Sequence, residues 1–139
     1  MRRFVTRQRS YARSTGMIRF YCAITEKAIS AVLVHDQDQV QKPIYFVSKV
    51  LQGPKVRYKT LEKVALAVVF SARRLRHYFQ SFTVLVMTDL PIQKVLKKSD
   101  VAGRMVKWAV ELSEFDIKYE PQGPIKGQIF ADFVVELSS

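Results

Sequence analysis

"MIRFYCAITEKAISAVLVHDQDQVQKPIYFVSKV", residues 17–50, is the stretch on which the fold turns. In its first nine residues Ile18, Phe20, Cys22 and Ile24 alternate with Met17, Arg19, Tyr21, Ala23 and Thr25. A period of two is that of a strand with one face in a core. Residues 28–36, "AISAVLVHD", are apolar at both parities, as expected of a central strand covered on both faces. Residues 41–50, "QKPIYFVSKV", make a third strand with Pro43 near its start, where a missing N–H is tolerated. The links between them are short and polar, so the three strands are expected to run as an antiparallel meander. Gly53-Pro54 closes the unit.

Beyond it the period changes. "TLEKVALAVVFSARRLRHYF", residues 60–79, reads as one long helix with Thr60 as N-cap. Glu62 sits in its first turn and Arg73, Arg74, Arg76 and His77 sit late, as the helix dipole favours. Residues 82–88, "FTVLVMT", form the fourth strand, and "PIQKVLKK", 91–98, a short helix with Pro91 at its first position. In residues 101–113 Met105, Trp108, Ala109 and Leu112 share a stripe opposite Arg104, Lys107 and Glu111, the pattern of an amphipathic helix with Trp108 in the core. "FDIKYE", 115–120, alternates as a half-exposed strand. After Pro121, Gly123 and Pro124, Ile129, Phe133 and Leu137 mark a last helix. The order β-β-β-α-β-α-α-β-α predicts an α/β fold: a five-stranded mixed sheet, three strands antiparallel and the rest parallel, flanked by helices. His35 is expected in a hairpin loop.

Length and charge bound the rest. At 139 residues the chain suits one domain, and 48% hydrophobic residues suffice for a core. No apolar run is long enough for a membrane-spanning helix, and no membrane partner is expected. A single cysteine, Cys22, rules out an internal disulfide and a cysteine-based zinc site, and its apolar surroundings suggest a buried residue rather than a nucleophile. An intracellular setting is expected. The net charge of +11 favours a polyanionic partner. Five of those charges are the arginines of residues 1–14, which hold no acid. Residues 1–16 are expected to be a disordered basic arm ahead of a domain over 17–139, with a transit peptide or irrelevant leading sequence as the other readings, and the domain alone stays basic.

Three carboxylates stand out at element ends: Glu62 opening the long helix, Asp89 closing the fourth strand, and Asp132 off the apolar stripe of the last helix. Sites in open sheets form beyond the carboxyl ends of strands, where Asp89 sits. Converging carboxylates attract Mg²⁺, and two such ions clamp a phosphodiester during hydrolysis. Taken singly, each acid also has an ordinary structural explanation: a dipole partner, a turn residue, a solvated helix residue.

Several stretches taken together resemble a known family. "RYKTLEKVALAVVFSARRLRHYF", "FTVLVMTDLPIQKVL" and "IFADFVVE" are similar to the ribonuclease H-like domain that follows the polymerase in gypsy-type LTR retrotransposons, those of plants in particular. The family pattern runs Tyr-Ser-x-x-Glu-Lys-Glu, a helix ending Trp-Arg-His-Tyr, a strand ending Thr-Asp-His, and Ala-Asp-Ala-Leu. The matches are Tyr58, Glu62 and Lys63; Arg76, His77 and Tyr78; Thr88 and Asp89; Ala131 and Asp132. The resemblance implies the ribonuclease H-like fold, with the first and fourth strands adjacent and parallel. It implies cleavage of the RNA strand of RNA–DNA hybrids by four carboxylates and two Mg²⁺, with Glu62, Asp89 and Asp132 as the second, third and fourth. The first acid belongs where this chain has Ala23, which supplies no oxygen. Leu90 and Leu75 likewise replace a histidine and a tryptophan of the pattern.

What the resemblance then implies is a catalytically degenerate connection or tether, needing Mg²⁺ only if active. It would contact hybrid or other nucleic acid and the reverse transcriptase domain of the same polyprotein. Lys94, Lys97, Lys98, Arg104 and Lys107 are the candidate phosphate contacts. A working Mg²⁺-dependent nuclease and a host-adopted protein-interaction module are the alternatives left open.

Overall fold

The computed structural model describes residues 17–37, 40–96 and 103–121. The expected basic arm and last helix, with Asp132, Lys97 and Lys98, lie outside these residues. Five strands form one sheet in the order β3-β2-β1-β4-β5. The strands are β1 (Met17–Ile24), β2 (Ala28–Gln37), β3 (Val40–Val50), β4 (Thr83–Met87) and β5 (Ile117–Glu120). β1, β2 and β3 are the expected antiparallel meander, and β4 pairs in parallel with both β1 and β5. A 3₁₀ turn (Gly53–Arg57) leads into α1 (Thr60–Arg74) and α2 (Arg76–Ser81). Helices α3 (Ile92–Leu96) and α4 (Gly103–Leu112) carry the chain from β4 to β5.

Alternation along the strands divides the core between the two faces of the sheet. On one face Ile18, Phe20, Ile29, Ala31, Leu33, Val84 and Val86 pack with Ala65, Leu66, Val68 and Val69 of α1 and Met105, Trp108 and Leu112 of α4. The opposite face buries Tyr21, Val32, Val34, Leu85 and Met87. Tyr21 on this second face explains why β1 is buried at both parities, although its sequence alternates as for a single covered face.

Three details differ from the sequence reading. The long helix is broken at Leu75, whose φ −117° and ψ 44° are not helical, so α2 starts afresh. Leu75 is buried in the core, and the turn it makes lets Phe79 of α2 pack there as well. The N-cap of α1 is Lys59, in extended conformation, and Thr60 is its first helical residue. His35 lies within β2, paired with Ile18 and Lys42, and its ring stands edge-on to Phe82 at 5.7 Å between centroids.

β3 is an edge strand eleven residues long. Leu33 pairs with Tyr45 but Val34 with Pro43, so Ile44 is an extra residue, a bulge. The bulge lets the adjacent Ile44 and Tyr45 both reach the helix-covered core.

Candidate functional site

Parallel pairing fixes what stands at the carboxyl ends of the central strands. β1 and β4 pair from Met17↔Thr83 to Phe20↔Val86, a constant offset of 66 residues. Continued for three more residues, that offset sets Ala23 level with Asp89. Beyond Met87 the Thr88 amide still donates to the Glu120 carbonyl (2.8 Å), extending the β5 side of the ladder. The chain then turns sharply: the Leu90 amide donates to Thr88 Oγ1 (3.1 Å), and Asp89 is exposed in the turn. Asp89 is therefore just past the strand end, as the sequence reading expected, and the β1 register continued to it leads to Ala23.

The start of α1 is anchored near the same end of the sheet. Lys63, only 6% exposed, extends its ammonium to the carbonyls of Glu26 (2.8 Å) and Thr25 (3.4 Å), just past the end of β1. Its charge is accommodated because it donates to backbone acceptors that the β1–β2 turn leaves unpaired.

Glu62 has both carboxylate oxygens engaged. Oε1 accepts the Lys59 amide (3.0 Å), one of the donors a helix start leaves unpaired. Oε2 accepts from Arg104 Nη2 at the start of α4 (2.7 Å). The Arg104 guanidinium lies 4.2 Å from the Tyr58 ring centroid, and Tyr58 meets Trp108 edge-on at 6.2 Å. This is a packed cluster joining the first turns of α1 and α4. The family pattern contains a second glutamate two residues after the first; that position is Val64, buried and apolar.

Two further ion pairs follow, one between α1 and α4 and one from α2 to the turn after α4. Arg73 makes a two-pronged contact with Glu111 (2.6 and 2.8 Å), and Arg76 reaches Glu114 (2.7 Å). The hydrogen bond from Arg73 holds the Glu111 carboxyl below its ordinary range. Of the expected phosphate contacts, Lys94 and Lys107 are exposed, whereas Arg104 is committed to Glu62 and Tyr58. Sequence reasoning missed that commitment because the partners lie 42 residues apart, beyond any helical or strand period. Cys22 is half-buried, and burial pushes its thiol up to about 12, which leaves no thiolate near neutral pH.

The fit of these residues to divalent ions follows from the donor set. Mg²⁺ requires several hard oxygens around one point. Among the described residues no three His, Cys, Asp or Glu side chains come together to hold a metal. Ala23 has no donor, and Glu62 is already satisfied twice. The described donor set does not fit a pair of ions.

Comparison with known proteins places this geometry in context. Residues 14–115 match the family model described as the RNase H-like domain found in reverse transcriptase. Two curated relatives are Retrovirus-related Pol polyproteins of Drosophila melanogaster. The chain is 30% identical over 94 residues to that from transposon 297, covering 67% of this chain and 8% of the relative. Identity to that from transposon opus is 30% over 109 residues, covering 76% of this chain and 11% of the relative. The chain thus spans about a tenth of these relatives' length. Among solved structures, the native prototype foamy virus protease-reverse transcriptase aligns over 80% of this chain and 16% of its own, with TM-score 0.59 and 13% identity. The foamy viral enzyme solved with RNA/DNA hybrid aligns over the same shares, with TM-score 0.53 and 18% identity. At these identities the likeness establishes the ribonuclease H-like fold.

Proposed function

This chain belongs to the family of RNase H-like domains found in reverse transcriptase, and on that premise we propose that it is a catalytically degenerate connection module. It holds nucleic acid beside the reverse transcriptase domain of the same polyprotein and does not itself cut hybrid. The observation that carries this reading is the parallel pairing of β1 with β4, whose register, continued past Phe20↔Val86, leads to Ala23 and Asp89. In a two-ion mechanism the ions share carboxylate oxygens that offset their mutual repulsion. A methyl group at the centre of the sheet supplies none. The double engagement of Glu62 supports the same reading, as does Val64 at the second glutamate position.

The chemistry left to the chain's own residues is binding. Lys94 and Lys107 are exposed cations able to meet phosphates without reading sequence. Lys97 and Lys98 extend the same basic run in sequence. Arg104, fixed against Glu62 and Tyr58, orders the start of α4 and so sets where Lys107 projects. Where Mg²⁺ is bound in this family, it supplies charge stabilisation of the phosphodiester; Asp89 and Asp132 are the proposed remnant of that site. The motif resemblance further supports a plant gypsy-type element as the source lineage. An intracellular setting accords with such an element.

Cleavage of labelled RNA–DNA hybrid in Mg²⁺ or Mn²⁺ tests the reading. The expected result is no cleavage above background, unchanged in Asp89→Asn. Turnover that Asp89→Asn abolishes would establish an active nuclease and overturn the proposal.

A further inference from the structure

On the β3 side of α1, two cations lie against one aromatic ring. Phe70 is half-buried on α1. Lys49 Nζ lies 5.0 Å from its ring centroid, and the Arg74 guanidinium carbon lies 5.9 Å from the same centroid. Lys49 comes from the edge strand β3, where it pairs with Ile29, and Arg74 comes from the last turn of α1. The two cations are thus brought to one ring from a strand and a helix rather than by helical spacing.

The contrast with the other flank is what gives the pair meaning. Arg73, Arg76 and Arg104 each meet a glutamate. Lys49 and Arg74 meet no carboxylate among the described residues. Like charges brought together repel, and the ring quadrupole offsets that by only about 0.5–1 kcal/mol per cation at an exposed site. Two cations at one ring, with no carboxylate beside them among the described residues, favour an anion.

We propose that Lys49 and Arg74, held by Phe70, form a phosphodiester-binding site for a nucleic-acid backbone, separate from the Lys94–Lys107 surface. The cations occupy the space around the ring, so Phe70 holds them in place and is not a platform for base stacking. Binding there is indifferent to sequence and sensitive to salt. The site rests on the proposed role as a nucleic-acid holder but names a second place of contact, one that leads the strand over the β3 side of the domain.

The test is fluorescence anisotropy with a labelled 20-base-pair RNA–DNA hybrid, using the full chain from about 50 to 200 mM NaCl. Variants are Lys49→Gln/Arg74→Gln, Lys94→Gln/Lys107→Gln, and Phe70→Leu, with thermal melts to confirm folding. The expected result is that Lys49→Gln/Arg74→Gln weakens binding several-fold for all sequences and lowers the slope of log K against log salt by about 1–2, as loss of one or two phosphate contacts requires. Phe70→Leu weakens binding with less change in slope, because the charges remain but are no longer held. If the wild type binds and only Lys94→Gln/Lys107→Gln weakens it, the second site is refuted and the proposed function stands. If the folded wild type shows no salt-dependent binding at all, both fall.

Discussion

Replacing Glu62 separates a structural carboxylate from a metal ligand. In the structure its Oε1 closes the first turn of α1 and its Oε2 holds Arg104. A hydrogen bond of the first kind contributes about 0.5–1.5 kcal/mol. The ion pair joins a glutamate side chain only 14% exposed to an arginine 43% exposed. Partial solvation limits it to about 0.5–1 kcal/mol. Glu62→Ala is therefore expected to lose about 1.5–2 kcal/mol, which for a domain of this size lowers the melting temperature by roughly 5–8 °C. Glu62→Gln keeps an oxygen for the Lys59 amide and loses the charge, so it is expected to lose about 0.5–1 kcal/mol. The assay is urea unfolding followed by far-UV circular dichroism, in EDTA and in Mg²⁺ at matched ionic strength. Both variants should be destabilised equally in the two buffers. A metal ligand behaves otherwise, since removing it relieves repulsion in the metal-free state and abolishes stabilisation by the ion. If Glu62→Gln is as stable as wild type in EDTA but loses a stabilisation that Mg²⁺ gives the wild type, the structural reading of Glu62 is wrong.

Other outcomes follow from the packing. The buried Ser71 hydroxyl has no hydrogen-bond partner among the described residues, so Ser71→Ala should leave stability unchanged or raise it by up to about 1 kcal/mol in the same unfolding experiment. Trp108→Ala empties the junction of α4 and Tyr58 and should lose about 3–5 kcal/mol, with cooperative unfolding at much lower urea. Burial raises the Cys22 thiol from 9.0 to about 12 and the Tyr119 phenol from 10.0 to about 12. Both groups are favoured neutral in the fold, so the unfolded chain gives up these protons first. Their stabilisation is whole below pH 9, then falls as pH rises toward 12, and melts across that range should show it. For the same reason Cys22 should react with iodoacetamide at pH 8 far more slowly than a free cysteine.

How much of this was legible in the sequence depends on the range of the interaction. Strand alternation at Ile18, Phe20, Ile117 and Tyr119 is a local signal, and the sheet followed from it. Met105, Trp108 and Leu112 gave the inner stripe of α4 by the same means. The break at Leu75 was hidden because apolar and basic residues on either side keep a helical period, and only the packing of Phe79 shows why the chain must turn. The bulge at Ile44 was hidden because both Ile44 and Tyr45 suit a strand. At the candidate site, the position of Asp89 just past a strand end was legible in the sequence. The role of Glu62 was not, because the same residue at the third position of a helix suits a cap, a dipole and a metal ligand equally. What distinguishes them is Arg104, far along the chain. Arg104 was read as a phosphate contact for the corresponding reason: its positive charge is visible in the sequence and its partner is not.

The bulge also bears on how the domain behaves when cut out of a longer chain. An eleven-residue edge would ordinarily invite a second copy to add a strand and so seed fibres. Here Pro43 lacks the amide such a neighbour would need, the extra residue skews the register, and Lys42 and Lys49 would face their own kind. Deleting Ile44 would smooth that border into a flat, continuous template, and the shortened protein should clump where the parent stays dispersed.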